Sequence, residues 1–333
     1  MDELLSILDQ GRPWLKWRVV GEAKGAGGRT WPLLVITMGP EDRRCPAVGY
    51  FGGVHGLERI GAVVVVSFLR SLVQRLAWDE LLRQQVGQVR MVFMPLVNPE
   101  GLMAGTRSNG QGIDLMRNSP VEAKEGIPWL LGGHRLSPYL PWFRGAADAP
   151  MQSESRALCE VVEEELLTRP LAISIDCHSG FGLSDRIWFP YAFTRQPIEH
   201  LPEMMALTMI FDATQMYHRY VLEPQSLQYL THGDLWDHLY QRSLARGETL
   251  FLPLTLEMGS WLWVKKNPRQ LFTRHGIFNP LIQHRQHRVI RRHLGCLDFF
   301  SRAAISHRHW LPDAARRHAL REQAFQRWYR RAE

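Results

Sequence analysis

The chain of 333 residues predicts an α/β fold, a sheet enclosed on both faces by helices. Three observations carry that prediction. Apolar runs of strand length alternate with longer segments of helical apolar periodicity. Two of the runs, 47–51 and 89–97, read as buried strands. From about residue 277 onward the chain reads as helical and Arg-rich, with no strand signal left.

In chain order, 16–22 and 31–38 flank the glycine-rich KGAGG and read as a β-hairpin. The strand at 47–51 is followed by a helix at 60–76 with one apolar face and a short helix at 78–86. The strand at 89–97 ends at Asn98-Pro99-Glu100-Gly101, a turn by composition. A loop-like stretch rich in Gly and Pro then runs from 101 to 150, and loops of that length inside a compact domain are usually functional. Ser153 is a candidate N-cap for a helix at 153–167. The run 171–177 is a strand delivering His178 at its end, and 187–191 is another strand. Helices are expected at 201–217 and 231–245, and 250–256 is a strand delivering Glu257. There is no internal repeat and no low-complexity segment.

Composition narrows the function classes. An apolar share of 45% with 22% charged residues is ordinary for a soluble globular protein. The N-terminus, MDELLSILDQGRPWLKW, is acidic and lacks a secretory pattern, and no uninterrupted apolar stretch approaches a membrane span, so the expected location is the cytoplasm with no membrane partner. Cys45, Cys159, Cys177 and Cys296 are scattered without CxxC spacing, which argues against a cysteine zinc site or a disulfide framework. The net charge of +7 is uneven: residues 269–333 hold 14 Arg and 4 acidic residues, leaving +10 there and −3 for everything before. By charge, the body of the chain is not a nucleic-acid surface.

The chemistry centres on GGVHGLERIG, residues 52–61, where His55 and Glu58 stand on the turn between a strand and a helix. A second HxxE, at His200 and Glu203, contains Pro202 and follows neither strand nor glycine. Catalytic zinc sites combine three protein ligands with a water, and His178, at the end of an apolar strand and followed by Ser-Gly, is the best third ligand. Glu257, between an apolar strand and a Gly-Ser turn, would complete such a set as a general base. The glycine-rich GTRSNGQGIDLMRN, residues 105–118, offers Arg107 to steady an oxyanion and Arg117 to clamp a carboxylate.

In order and spacing these landmarks resemble the zinc carboxypeptidases of the carboxypeptidase A-like family. Glu58 and His178 are 120 positions apart and His178 and Glu257 are 79 apart. NPEG at Asn98, the TR…GIDLxRN loop, SESRAL at Ser153 and DCHSG at Asp176 fall between them, so the likeness spans about residues 45–260. It implies a mixed, mostly parallel twisted sheet with helices on both faces; the chain then divides into a catalytic domain over 1–276 and, from its charge and periodicity, an Arg-rich helical extension over 277–333 packed on it. It implies one zinc ion per chain held by His55, Glu58 and His178, with Glu257 as the general base and Arg107 as the oxyanion stabiliser. Asp114 would accept a hydrogen bond from the far nitrogen of His55, Arg117 would take the substrate's terminal carboxylate, and Tyr229, eight residues before Asp237, would cap the substrate. Trp236 falls at the specificity-pocket position, filling space that a large C-terminal side chain would otherwise occupy.

One position departs from the family. Where its loop reads DLNRN, with the first Asn helping to bind the carboxylate, this chain has Met116, whose thioether cannot donate a hydrogen bond. The implied function is zinc-dependent hydrolysis of a peptide amide bond, at the C-terminal end, by metal-activated water. HGLERIG is also similar to the HGxExxG of the related aspartoacylase-like deacylases, so hydrolysis of N-acyl amino acids is the alternative. Arg285, Arg288, Arg291 and Arg292 fall at helical spacings with Ile290, Leu294 and Leu297 between them, which reads as a helix packed on the body with its arginines outward. A rival reading is a tail that binds an acidic partner or RNA.

Overall fold

The computed structural model describes residues 2–273 and 275–330. Its strands are β1 (Lys16–Lys24), β2 (Thr30–Met38), β3 (Ala47–Gly52), β4 (Arg90–Met94), β5 (Leu171–Ser179), β6 (Arg186–Phe189), β7 (Val221–Pro224) and β8 (Leu250–Met258). Its helices are α1 (Asp2–Gln10), α2 (Arg59–Leu76), α3 (Glu80–Val86), α4 (Pro99–Ala104), α5 (Ser153–Glu165) and α6 (Leu201–Thr214), then α7 (Leu235–Arg246), α8 (Trp261–Lys266), α9 (Gln283–Ile305), α10 (His307–Trp310) and α11 (Ala314–Ala324). Among the described residues the strands form one sheet in the order β1-β2-β4-β3-β5-β8-β6-β7. The pairs β3/β4, β3/β5, β5/β8 and β6/β7 are parallel and the others antiparallel, so the sheet is mixed with a parallel centre.

Burial explains the apolar runs. Every residue of β3, β4 and β5 is buried, because helices cover both faces of the sheet. On one face α2 and α9 pack over β3 and β5, with α1 against α2; α5 covers β1, β2 and β4 on the other, and α7 covers β8 beside it. Aromatic contacts tie the C-terminal helices into this core. Phe211 of α6 stacks on Phe300 of α9 at 5.6 Å, and the Tyr50 hydroxyl of β3 donates to the Leu297 carbonyl at 3.0 Å. No single described helix is long and apolar enough to cross a membrane.

Several expectations need correction. Asn98-Pro99-Glu100-Gly101 is not a turn but the start of α4: Asn98 accepts from the Gly101 amide at 2.8 Å as its N-cap, and Pro99 occupies the first turn, where its missing N–H costs nothing. The strand expected over 187–191 stops at Phe189, since Pro190 has no N–H for the ladder. The helix expected from 231 begins at Leu235, because Asp234 caps it by accepting from the Trp236 and Asp237 amides. Gln152, not Ser153, is the N-cap of α5. The arginines of α9 do not all face outward: Arg288 and Arg291 are exposed, whereas Arg292 turns inward to Asp185 at 3.1 Å.

Candidate active site

β3 ends at Gly52, and the short loop that follows carries His55 before α2 begins. Two glycines make that loop possible. A Cβ at Gly56 would lie 1.9 Å from the Gly101 carbonyl carbon, and one at Gly61 would lie 2.0 Å from the Cys177 carbonyl oxygen. Their absence lets the loop press on α4 and the first turn of α2 press on β5 beside His178. Glu58 occupies the N-cap position of α2 but does not cap it. Its carboxylate is engaged elsewhere, and Asn279 substitutes, accepting from the Ile60 amide at 2.9 Å.

That carboxylate joins two imidazoles. His55 Nδ1 lies 2.9 Å from Glu58 Oε1, His178 Nδ1 lies 3.1 Å from Glu58 Oε2, and the two Nδ1 atoms are 3.2 Å apart. The outer nitrogens are held from behind: His55 Nε2 is 3.1 Å from Asp114 Oδ1, and His178 Nε2 is 2.7 Å from Asp176 Oδ2. With each Nε2–H given to a carboxylate, each Nδ1 points a lone pair at the shared centre. Two such lone pairs and a carboxylate converging in a buried position fit a divalent cation, and the set of two nitrogens and one oxygen suits zinc.

The cluster opens onto a cavity of about 400 Å³ that brings together His55, Glu58, Arg107, Met116, Arg117, His178, Tyr229 and Glu257. β5 and β8 place His178 and Glu257 as direct partners in the ladder. Arg107 is fixed at the wall by Asp114 Oδ2 at 2.8 Å and Glu58 Oε1 at 3.3 Å. Arg117 is only 3% exposed, and its Nε is buried without a hydrogen-bond partner. Tyr229 packs its ring against Phe181 and Trp188, both at 5.9 Å. The long stretch from 101 to 150 contributes Leu131, Pro141 and Trp142 to the cavity wall.

Sequence comparison matches residues 17–250 to the family described as zinc carboxypeptidase. The chain belongs to that family. Among curated relatives, Carboxypeptidase SOL1 of Arabidopsis thaliana is 32% identical over 93 residues, covering 27% of this chain and 19% of the relative. Carboxypeptidase M of Mus musculus is 28% identical over 108 residues, covering 29% of this chain and 24% of the relative. The chain thus matches a quarter or less of the length of these relatives. Among solved structures, carboxypeptidase A from Helicoverpa armigera has a TM-score of 0.66 at 15% identity, over 91% of this chain and 71% of that one. Thrombin activatable fibrinolysis inhibitor also has a TM-score of 0.66, at 17% identity, over 92% of this chain and 72% of that one. At such identities the likeness is one of fold.

The electrostatics of the site follow from burial and pairing. Burial works against a charge on Glu58, yet His55 and His178 hold its carboxyl well below the usual range. Burial also opposes a charge on Asp114, which Arg107 and His55 nevertheless keep strongly acidic. His178 is raised well above an ordinary imidazole, because Asp176 and Glu58 outweigh its desolvation. Glu257 goes the other way: burial, reinforced by the negative charge of Glu58, pushes it up to about 8.

Two expected residues do not line the cavity. Asp114 stands behind His55, as the resemblance implied. Trp236 is a correction: only 2% exposed, it lies beneath the site with its ring edge-on to Phe51, and its indole N–H donates to Asp176 Oδ2 at 3.0 Å. Asp176 itself was missed. The signal was available, since residues two apart on a strand share a face and Asp176 precedes His178 by two. Trp261 and Phe278, which also line the cavity, lie outside the segment that carries the family resemblance and had no sequence signal.

Proposed function

We propose that this protein hydrolyses an amide bond in a peptide substrate that ends in a free carboxylate. The observation that carries the proposal is Arg117, a buried guanidinium with an unpaired Nε in the same cavity as Glu257 and the His55, Glu58, His178 cluster. A buried cationic donor without an acceptor calls for an anion, and a substrate carboxylate bound there would bring the adjacent amide bond toward Glu257.

His55, Glu58 and His178 would hold zinc, which would supply Lewis acidity toward the scissile carbonyl and the attacking water. The remaining steps belong to the chain. The carboxylate of Glu257 accepts a proton from the attacking water and returns it to the leaving amine, a shuttle suited to a group whose affinity for protons is raised toward neutrality. Arg107, held in place by Asp114 and Glu58, presents fixed positive charge to the oxygen that becomes negative. Asp114 and Asp176 keep the two imidazoles in the tautomers that aim Nδ1 inward. Tyr229 closes over the substrate.

Met116 favours a second reading. It lines the cavity where a second donor for the carboxylate would help, and its thioether donates nothing. An N-acyl amino acid deacylase could use the same cluster and the same base. One zinc-loaded preparation tested against C-terminally free peptides, their amides and N-acyl amino acids separates the two. Cleavage of free but not amidated peptides supports the carboxypeptidase reading, cleavage of acyl amino acids alone replaces it with the deacylase, and turnover of none overturns both.

A further inference from the structure

Residues 258–297 contain eight Lys and Arg residues and no Asp or Glu. The fold brings much of that charge to one place. α8 ends in Lys265 and Lys266, and the first turns of α9 carry Arg285, Arg288 and Arg292. Between the two helices lies a cavity of about 210 Å³, which shares no lining residue with the active-site cavity. Lys266, Arg285, Arg288 and Arg292 form its charged wall, Trp263 and Val289 part of its apolar one, and no carboxylate lines it.

The cationic groups are not equally compensated. Arg292 is paired with Asp185 at 3.1 Å. Among the described residues, Lys266, Arg285 and Arg288 have no carboxylate partner. Arg285 is held at the wall by its Nη2, which donates to the Lys266 carbonyl at 3.4 Å, while its Nη1 is buried with no hydrogen-bond partner. A buried donor without an acceptor is unfavourable, and cations gathered around one cavity repel each other. A bound oxyanion relieves both conditions, and the guanidinium fork matches phosphate oxygens better than a monovalent halide.

We infer that α8 and α9 form a binding site for a phosphate group, carried by a small molecule whose organic part lies against Trp263 and Val289. The charges line one cavity of about 210 Å³ between α8 and α9, a space of the size of one phosphate group and a small organic part, which favours a single phosphate over an extended nucleic-acid backbone. The inference is independent of the proposed hydrolysis and concerns a different cavity.

Calorimetric titration of the zinc-loaded full chain with inorganic phosphate and with phenyl phosphate, at constant ionic strength against chloride, tests it. The expected result is saturable binding, tighter for phenyl phosphate, that is weakened roughly tenfold or more by Arg285→Gln combined with Arg288→Gln. Arg117→Gln, which alters the other buried arginine able to hold an anion, should leave that binding in place. Arg288 is exposed, so Arg288→Gln alone should weaken binding in the same direction if the double variant does not fold. Vesicles containing phosphatidic acid distinguish the source of the phosphate: retention that free phosphate displaces assigns a lipid headgroup, and absence of retention assigns a soluble ligand. No saturable binding at millimolar phosphate would overturn the inference. So would binding lost with Arg117→Gln and kept by the α9 variants, or RNA retention that phosphate does not displace.

Discussion

Glu257 and Asp176 do different work at the same cluster, and substitution separates them. Glu257 lines the cavity and has no bond to either imidazole, so Glu257→Gln should keep the full metal content while lowering hydrolysis by about 10²–10⁴-fold. Loss of metal from that variant would make Glu257 a structural residue. Asp176 touches no substrate space but receives both His178 Nε2–H and the Trp236 indole N–H. Asp176→Asn should therefore weaken zinc binding about 10–100-fold, read by competition with a chelator, with activity recovered at high zinc. An unchanged zinc affinity would remove Asp176 from the site. At this scale the sequence was legible wherever a residue's role depends on its type and its order along the chain: His55, Glu58, His178 and Glu257 are brought together as expected. It was not legible where the role depends on depth. Nothing in the residues around Trp236 says that the ring lies beneath His178 and not beside the substrate.

Elements were legible by periodicity and less so by their ends. The buried strands and α2 form within their apolar patterns, although β4 ends at Met94, short of the expected 97, while caps decided other boundaries, as Asn98 did for α4 and Asp234 for α7. For α9 the pattern of arginines could not reveal that Arg292 and His293 turn toward Asp185. His293 is fully buried and meets Arg292 of α9, Asp185 just before β6, and His218 and Tyr220 just before β7. Burial first, then Arg292 and His218, lower its pKa to about 4 against the pull of Asp185. Because the folded value lies below the unfolded one near 6.5, the neutral ring favours folding above that pH. This contribution is lost as the pH falls from about 6.5 to about 4, amounting to about 3 kcal/mol. Thermal melts across that window should show a falling Tm, and His293→Gln should flatten the slope. Equal slopes for the two proteins would assign the acid sensitivity to another group.

For the molecule as a whole, the predicted α/β sandwich of helices around a sheet is the observed architecture, because alternation of apolar runs reports layers directly. What the sequence withheld was the edge β7, only four residues long, and α8, whose six residues show no periodicity. Metal couples the layers, since His55 and Glu58 stand at the mouth of α2 and His178 within β5. Zinc at about a hundredfold its Kd should stabilise the chain by about 2.7 kcal/mol, so chelation should lower Tm measurably and zinc should restore it. An indifferent Tm would mean that the three donors do not bind the ion in the native state. The ladder that sets His178 opposite Glu257 also acts as a clock for assembly. The donors come from segments 120 positions apart, and distant strand pairings of this kind are closed late because loop entropy must be overcome first. A refolding chain given zinc at time zero should therefore capture it no faster than its last folding phase, whereas capture during collapse would mean that the centre of the sheet forms first. Zinc content then certifies completed folding, since a slip of one residue between β5 and β8 would send His178 and Glu257 to opposite faces and leave an inert protein of nearly the same shape.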